Sequence, residues 1–269
     1  MKSRHITAKG VSLACGEAGP ATVPTLVMLH GWAGRRQVFR HQIAALERHW
    51  RLLAIDLPGH GGSTPGAATS PQDIADVLAT ALPACTTGPL IPVGHSLGAL
   101  VGLELARRLG AETVPAAILV EPAPILKDAR MTAALEATAQ LIATEGAAAA
   151  QARLLETAFL VPGEPADAIA DEIAAGRRST RPDVLLPLWR AMIAYEGRDA
   201  LSALAIPLLF VNGARPQNRE KDIRAQAAGP VHWGRTVCGG HFNLLSVPDQ
   251  VSAMMADFLM REFSAPQVA

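Results

Sequence analysis

The 269-residue chain has little cysteine, no excess of charge of either sign and no long apolar run. Its three cysteines, Cys15, Cys85 and Cys238, form no C-x-x-C pair and are odd in number. That argues against a disulfide framework or a zinc knuckle and leaves buried free thiols as the expectation. Lysine plus arginine equals aspartate plus glutamate, 24 each, so no net field draws the chain to nucleic acid or to anionic lipid. No segment reaches about 18 uninterrupted apolar residues, and the opening "MKSRHITAKGVSLACGEAG" lacks the continuous apolar stretch of a secretion signal. These absences predict a cytoplasmic protein with no membrane or nucleic-acid partner, acting on a small-molecule substrate; none of them assigns an oligomeric state. No metal-ligand cluster, Gly-rich dinucleotide fingerprint or phosphate loop occurs, so neither a metal nor an organic cofactor is expected.

What is present is a globular composition, 49% hydrophobic and 18% charged, punctuated by 23 glycines and 20 prolines. Short apolar runs recur as "TLVMLHG" (25–31), "RLLAIDLPG" (51–59), "PLIPVGHS" (89–96), "AAILVEPAP" (116–124) and "IPLLFVNG" (206–213). They are nearly continuous rather than alternating, as expected of parallel strands covered on both faces, and helix-length segments separate the first four. Residues on either side of Lys9-Gly10 read as an edge hairpin and "VHWGRTVCGG" (231–240) as a last strand. The expected fold is therefore α/β, a doubly wound, mostly parallel, eight-stranded sheet. Between the fourth and fifth runs lies alanine-rich, helix-favouring sequence far longer than one crossover helix needs. We read it as an inserted helical cap over 123–203, with the core formed by 1–122 and 204–269.

Within "PLIPVGHSLGALVGLELARRLG" (89–110), a strand ending at Val93 gives way to a helix starting just after Ser96. So tight a turn requires glycines at 94 and 98 and pushes the serine out at its apex. This is the arrangement of a nucleophile elbow, with the Leu97 N–H at a helix N-terminus beside the hydroxyl. Serine needs a base. His241, in "CGGHFNLLSVPDQV", follows the last strand and falls at the same sheet edge, whereas His5, His41, His49 and His232 read as surface and His30 as orienting its own loop. The Trp32 N–H, just after the first run, emerges at that edge too and pairs with Leu97 N–H as an oxyanion hole. Deleting one such donor costs about 2.7 to 4 kcal/mol in other enzymes.

Together "HGWAG", "AIDLPGHGGS", "VGHSLGALVGLELA" and "GGHFNLLSVPDQV" resemble the α/β-hydrolase superfamily, specifically its small capped members, in order and spacing over nearly the whole chain. The resemblance implies Ser96 as nucleophile and His241 as base. The acid departs from the commoner pattern: where many relatives carry an aspartate after the seventh strand, this chain reads Gly213-Ala214-Arg215-Pro216-Gln217-Asn218, with no carboxylate until Glu220. Glu121, closing the sixth strand, is the expected acid, with Glu220 or Asp222 as the alternatives. Some haloalkane dehalogenases and cofactor-free quinolone dioxygenases look similar in placing their acid there.

Ser96, His241 and Glu121 describe acyl transfer to water, on an ester, thioester or lactone. Serine at the elbow argues against dehalogenase or epoxide-hydrolase chemistry, for which the resembling families use aspartate. The alternative is a cofactor-free dioxygenase of the 3-hydroxy-4-quinolone type, with the His241/Glu121 pair as base; those enzymes tend to carry a histidine directly after the serine, where this chain has Leu97. Phe159, Trp189 and Met192 are the expected substrate-binding residues, although Trp189, Met192 and Tyr195 also have the spacing of a buried helix face.

Overall fold

The computed structural model describes residues 1–21 and 24–263. Strands β1 (Lys2–Ala8) and β2 (Val11–Ala18) form a hairpin, followed by β3 (Thr25–Leu29), helix α1 (Arg40–Leu46), β4 (Arg51–Ile55), α2 (Pro71–Ala81), β5 (Leu90–His95), α3 (Leu97–Leu109) and β6 (Ala117–Val120). Helices α4 (Ala129–Glu145), α5 (Ala147–Leu154), α6 (Ala166–Arg178), α7 (Pro182–Ala194) and α8 (Arg198–Ala203) then intervene before β7 (Leu208–Asn212). The chain closes with α9 (Glu220–Gln226), β8 (Val231–Arg235), the short α10 (Asn243–Ser246) and α11 (Pro248–Phe263). The strands form one sheet of eight in the order β1-β2-β4-β3-β5-β6-β7-β8. β1 and β2 pair antiparallel, as do β2 and β4, and all other pairs are parallel.

The apolar runs are continuous because successive side chains enter two different cores. Val27, Leu29, Leu53, Ile55, Leu119 and Phe210 join the core on the α2 and α3 face, while Leu26, Met28, Leu52, Ala54, Ile118 and Val211 join the one against α1 and α11. Helix starts follow local chemistry. At α2 the Ser70 Oγ accepts from Asp73 N and donates to the Asp73 carboxylate, with Pro71 in the first turn, a reciprocal cap worth about 1 kcal/mol. The alanine-rich stretch does not run on as one helix, because Gly146 at φ 90° ends α4 and begins α5.

Two local expectations are corrected. β5 continues to His95 rather than ending at Val93, since Gly94 and His95 still pair with β6. The thiols are not all buried: Cys15 is, and burial pushes it up to about 12, but Cys85 is half-buried and Cys238 exposed. Among the described residues no helix is long and apolar enough to cross a membrane.

The register sets the site. Leu29 pairs with Gly94, His95 with Val120, and Val120 with Val211, so β3, β5, β6 and β7 end at one level. The residues that follow them, from His30, Ser96, Glu121 and Gly213 onward, therefore share the carboxyl edge of the sheet, where open α/β sheets bind ligands.

Candidate active site

Ser96 occupies the turn between β5 and α3 with φ 53° and ψ −117°. A non-glycine residue held there stores about 1–3 kcal/mol of strain, which the surroundings must impose. They do so by close packing: a Cβ on Gly98 would stand 2.0 Å from Leu29 O, and one on Gly94 would stand 2.3 Å from Gly98 O. The turn is also pinned by Ser96 N donating to Val120 O at 3.2 Å and Ala99 N to Ser96 O at 3.0 Å. Leu97 opens α3, so its N–H has no intrahelical carbonyl to bond.

Glu121 is buried at 2% exposure with φ 42°, another strained non-glycine. Its backbone N–H donates to Val211 O at 2.9 Å, its Oε1 accepts from Gly213 N, and its Oε2 lies 3.2 Å from His241 Nδ1. His241 is itself buried, its N–H donating to Phe159 O at 2.8 Å. The Phe159 ring stacks on the imidazole at 4.3 Å and 20°. His95, beside the serine, turns away and donates Nε2–H to His241 O at 2.9 Å. Burial first, and His241 second, push His95 down to about 3, so it stays a neutral strut. His30 Nε2 accepts from Leu57 N at 3.0 Å, which leaves Nδ1–H to donate to Gly31 O at 2.8 Å and shape the loop before Trp32.

Two cavities meet at this point. One, of about 890 Å³, is bounded by Ser96, Glu121, Phe159, Trp189, Met192 and His241, among others. The other, of about 40 Å³, is bounded by Trp32, Val38, Ser96, Phe159, Trp189 and His241, among others. The structure thus brings together Ser96, His241, Glu121, Trp32, Phe159, Trp189 and Met192, with Leu97 fully buried behind the serine. It does not bring Glu220 or Asp222: both lie on α9, paired with Arg224 and Arg219. Tyr195 turns from the cavity and donates to Glu104 Oε1 at 3.1 Å, tying the end of α7 to α3. The sequence reading gave no role to Gln217, whose carboxamide lies 3.1 Å from His241 Nδ1, or to Arg130, Arg153 and Arg215, which border the large cavity. Among the described residues no group of three or more His, Cys, Asp or Glu could hold a metal ion.

His60, which the sequence reading also passed over, lies fully buried against His30 and is pushed down to about 3, first by burial and then by His30. The sign follows. A buried histidine held neutral binds fewer protons than in the unfolded chain, so its stabilising share is complete above pH 6.5 and is lost as pH falls toward 3. At pH 5 each of His60 and His95 is expected to cost about 2 kcal/mol relative to neutral pH. Urea unfolding at pH 7 and pH 5 checks this; an unchanged midpoint would contradict the buried neutral state.

Comparison with known proteins places these features in context. A model of the alpha/beta hydrolase family matches residues 26–254. The chain is similar to a pimeloyl-[acyl-carrier protein] methyl ester esterase of Nitrosomonas europaea, 39% identical over 101 residues. That alignment spans 38% of this chain and only 38% of the relative's length. It is also similar to the magnesium-chelatase 30 kDa subunit of Rhodobacter capsulatus, 28% identical over 263 residues, 90% of this chain and 89% of that one. Among solved structures, a thermophilic esterase from Thermogutta terrifontis superposes with a TM-score of 0.83 at 20% identity, covering 98% of this chain and 100% of that one. An AqdC variant that cleaves the ring of the Pseudomonas quinolone signal superposes with a TM-score of 0.76 at 22% identity, covering 97% and 100%. At these identities the structural likenesses speak for the fold.

Proposed function

The chain belongs to the alpha/beta hydrolase family, and from that premise we propose that it is a serine hydrolase cleaving a carboxylic ester, thioester or lactone through an acyl-enzyme on Ser96. The observation that carries the proposal is the coincidence, at one sheet edge, of a strained serine with a buried histidine held to a buried glutamate. In this mechanism His241 takes the Ser96 proton as the hydroxyl oxygen attacks the carbonyl carbon. Leu97 N–H and Trp32 N–H receive the oxyanion. His241 then gives its proton to the departing group, and water repeats the sequence to release the acid. Glu121 holds Nδ1–H and balances the imidazolium charge without itself taking the proton. No step calls for a metal or an organic cofactor.

The two cavities suggest the shape of the substrate. The two cavities bordering Ser96 differ in volume, about 40 Å³ against about 890 Å³, and on this reading the smaller takes a small half of the ester and the larger a bulky one. A methyl ester of a large acyl group fits that asymmetry, and a methyl ester esterase is what the Nitrosomonas relative is named. Helices α4 to α8, within residues 123–203, serve on this reading as a cap that builds the large cavity; Met131, Leu135, Leu154, Phe159, Trp189 and Met192 come from that segment.

A fluorophosphonate probe, followed by mass mapping, tests the proposal: a stoichiometric adduct on the peptide carrying Ser96 is expected, and labelling elsewhere or none at all in active protein would refute it. A cofactor-free dioxygenase is the second reading, favoured by an acid, Glu121, that stands after β6 and pairs with His241. It requires turnover of a 3-hydroxy-4-quinolone with consumption of oxygen, which an oxygen electrode measures directly.

A further inference from the structure

The Nδ1 edge of an imidazole has one hydrogen or one lone pair to offer, yet His241 has two groups there. Glu121 Oε2 lies at 3.2 Å and the Gln217 carboxamide nitrogen, Nε2, at 3.1 Å from the same ring nitrogen. Gln217 is not loosely placed. Its neighbour Asn218 is buried and fastens the loop after β7 to the segment after Glu121, accepting from Ile125 N at 2.8 Å and donating to Pro122 O at 3.0 Å. Glu121 in turn accepts from Gly213 N at the start of that loop. The histidine, the carboxylate and the carboxamide are thus held by one set of bonds between the ends of β6 and β7.

A half-turn of the carboxamide exchanges its NH2 and its oxygen. With NH2 toward the ring, Nδ1 must offer a lone pair, and the ring proton sits on Nε2, the nitrogen a general base has to keep free. With oxygen toward the ring, Nδ1–H is shared between two acceptors. The Glu121 charge selects the second state, because a charge-assisted hydrogen bond is about twice as strong as a neutral one. Resting on the serine-hydrolase reading, we propose that Gln217 is a positioning residue: its carboxamide oxygen shares Nδ1–H with Glu121, and position 217 is a second seat from which a carboxylate can hold the same proton.

The test compares full-length wild type, Gln217→Leu, Glu121→Gln and the double variant Glu121→Gln/Gln217→Glu by steady-state kinetics and by 15N NMR of the His241 ring. Gln217→Leu is expected to lower kcat on the order of 10-fold with KM unchanged, the effect of one lost hydrogen bond. Glu121→Gln is expected to move the ring toward the Nε2–H tautomer. The double variant is expected to return it to Nδ1–H and to recover on the order of 10²-fold in kcat over Glu121→Gln. It keeps a polar group at both seats, so it also serves if Gln217→Leu fails to fold. A double variant no more active than Glu121→Gln, with its ring spectrum unchanged, overturns the proposal; so does a Gln217→Leu effect confined to KM, which marks a substrate contact. The ring spectrum needs no turnover. If wild type neither hydrolyses esters nor takes the phosphonate probe, the hydrolase reading fails, while reversal of the tautomer in the double variant still upholds the role of Gln217.

Discussion

Ser96→Ala is expected to lower ester turnover by about 10³-fold or more while leaving the protein folded, because it removes the covalent route and little else. The bonds that fix the turn, Ser96 N to Val120 O and Ala99 N to Ser96 O, belong to the backbone and survive the substitution. Alanine inherits the same unfavourable φ of 53°, so neither strain nor packing changes much. Thermal melts of the two proteins should therefore superpose within a few degrees, and a steady-state assay on a p-nitrophenyl ester should separate them. Near-normal ester turnover in the variant would sink the acyl-enzyme. Loss of ester turnover with full activity on a 3-hydroxy-4-quinolone would instead move the function to the His241/Glu121 pair alone.

That Ser96, Glu121 and His241 fall together at one sheet edge is legible in the chain for a physical reason. Each follows a strand or precedes a helix, and such boundaries leave local marks: glycines where backbones approach within van der Waals distance of β3, an apolar run where both sheet faces are covered. Once the strands are taken as parallel, the residues after them must lie at one edge, and the register shows that they do. Gly94 reads as the start of a turn, which would end β5 at Val93, whereas the pairing with β6 holds both it and His95 in the strand.

Residues whose place depends on how distant elements meet left no such mark. Trp189, Met192 and Tyr195 have the same helical spacing, yet the first two border the large cavity while the third bonds Glu104 on α3. Phe159 reaches His241 because the helical turn after α5 widens into a π-turn over Leu155–Phe159, a feature with no propensity signature. Arginine spacing is equally uninformative: Arg177 bonds Gln151 and Arg181 pairs with Asp183, while Arg130, Arg153 and, after β7, Arg215 border the large cavity. Gln217 stood in plain view in the loop without a carboxylate, but a carboxamide has no charge to advertise a role, and only the fold sets it against the imidazole.

Glu121→Gln is expected to lower kcat by about 10⁴-fold, the precedent for an acid that orients a catalytic histidine, whereas Glu220→Gln and Asp222→Asn are expected to change it less than about two-fold. The contrast is geometric. Glu121 is buried at 2% exposure with its Oε2 at 3.2 Å from Nδ1, while Glu220 and Asp222 lie on α9 in exposed pairs with Arg224 and Arg219. Exposed pairs of that kind contribute about 0–1 kcal/mol, so their loss should barely register even in stability. At position 121 a neutral amide fits the same space, and its oxygen can still accept from Gly213 N, which keeps the loop after β7 in place. What it withholds is charge. A proton then costs more to place on Nδ1, the tautomer able to take the serine proton is depopulated, and the imidazolium formed during attack, buried against the Phe159 ring, has no counter-ion. The loss should therefore fall on kcat with KM little changed, since Glu121 acts through His241. Steady-state kinetics of the three variants decide the matter: comparable losses at 121, 220 and 222, or a larger loss on α9, would remove Glu121 from the mechanism.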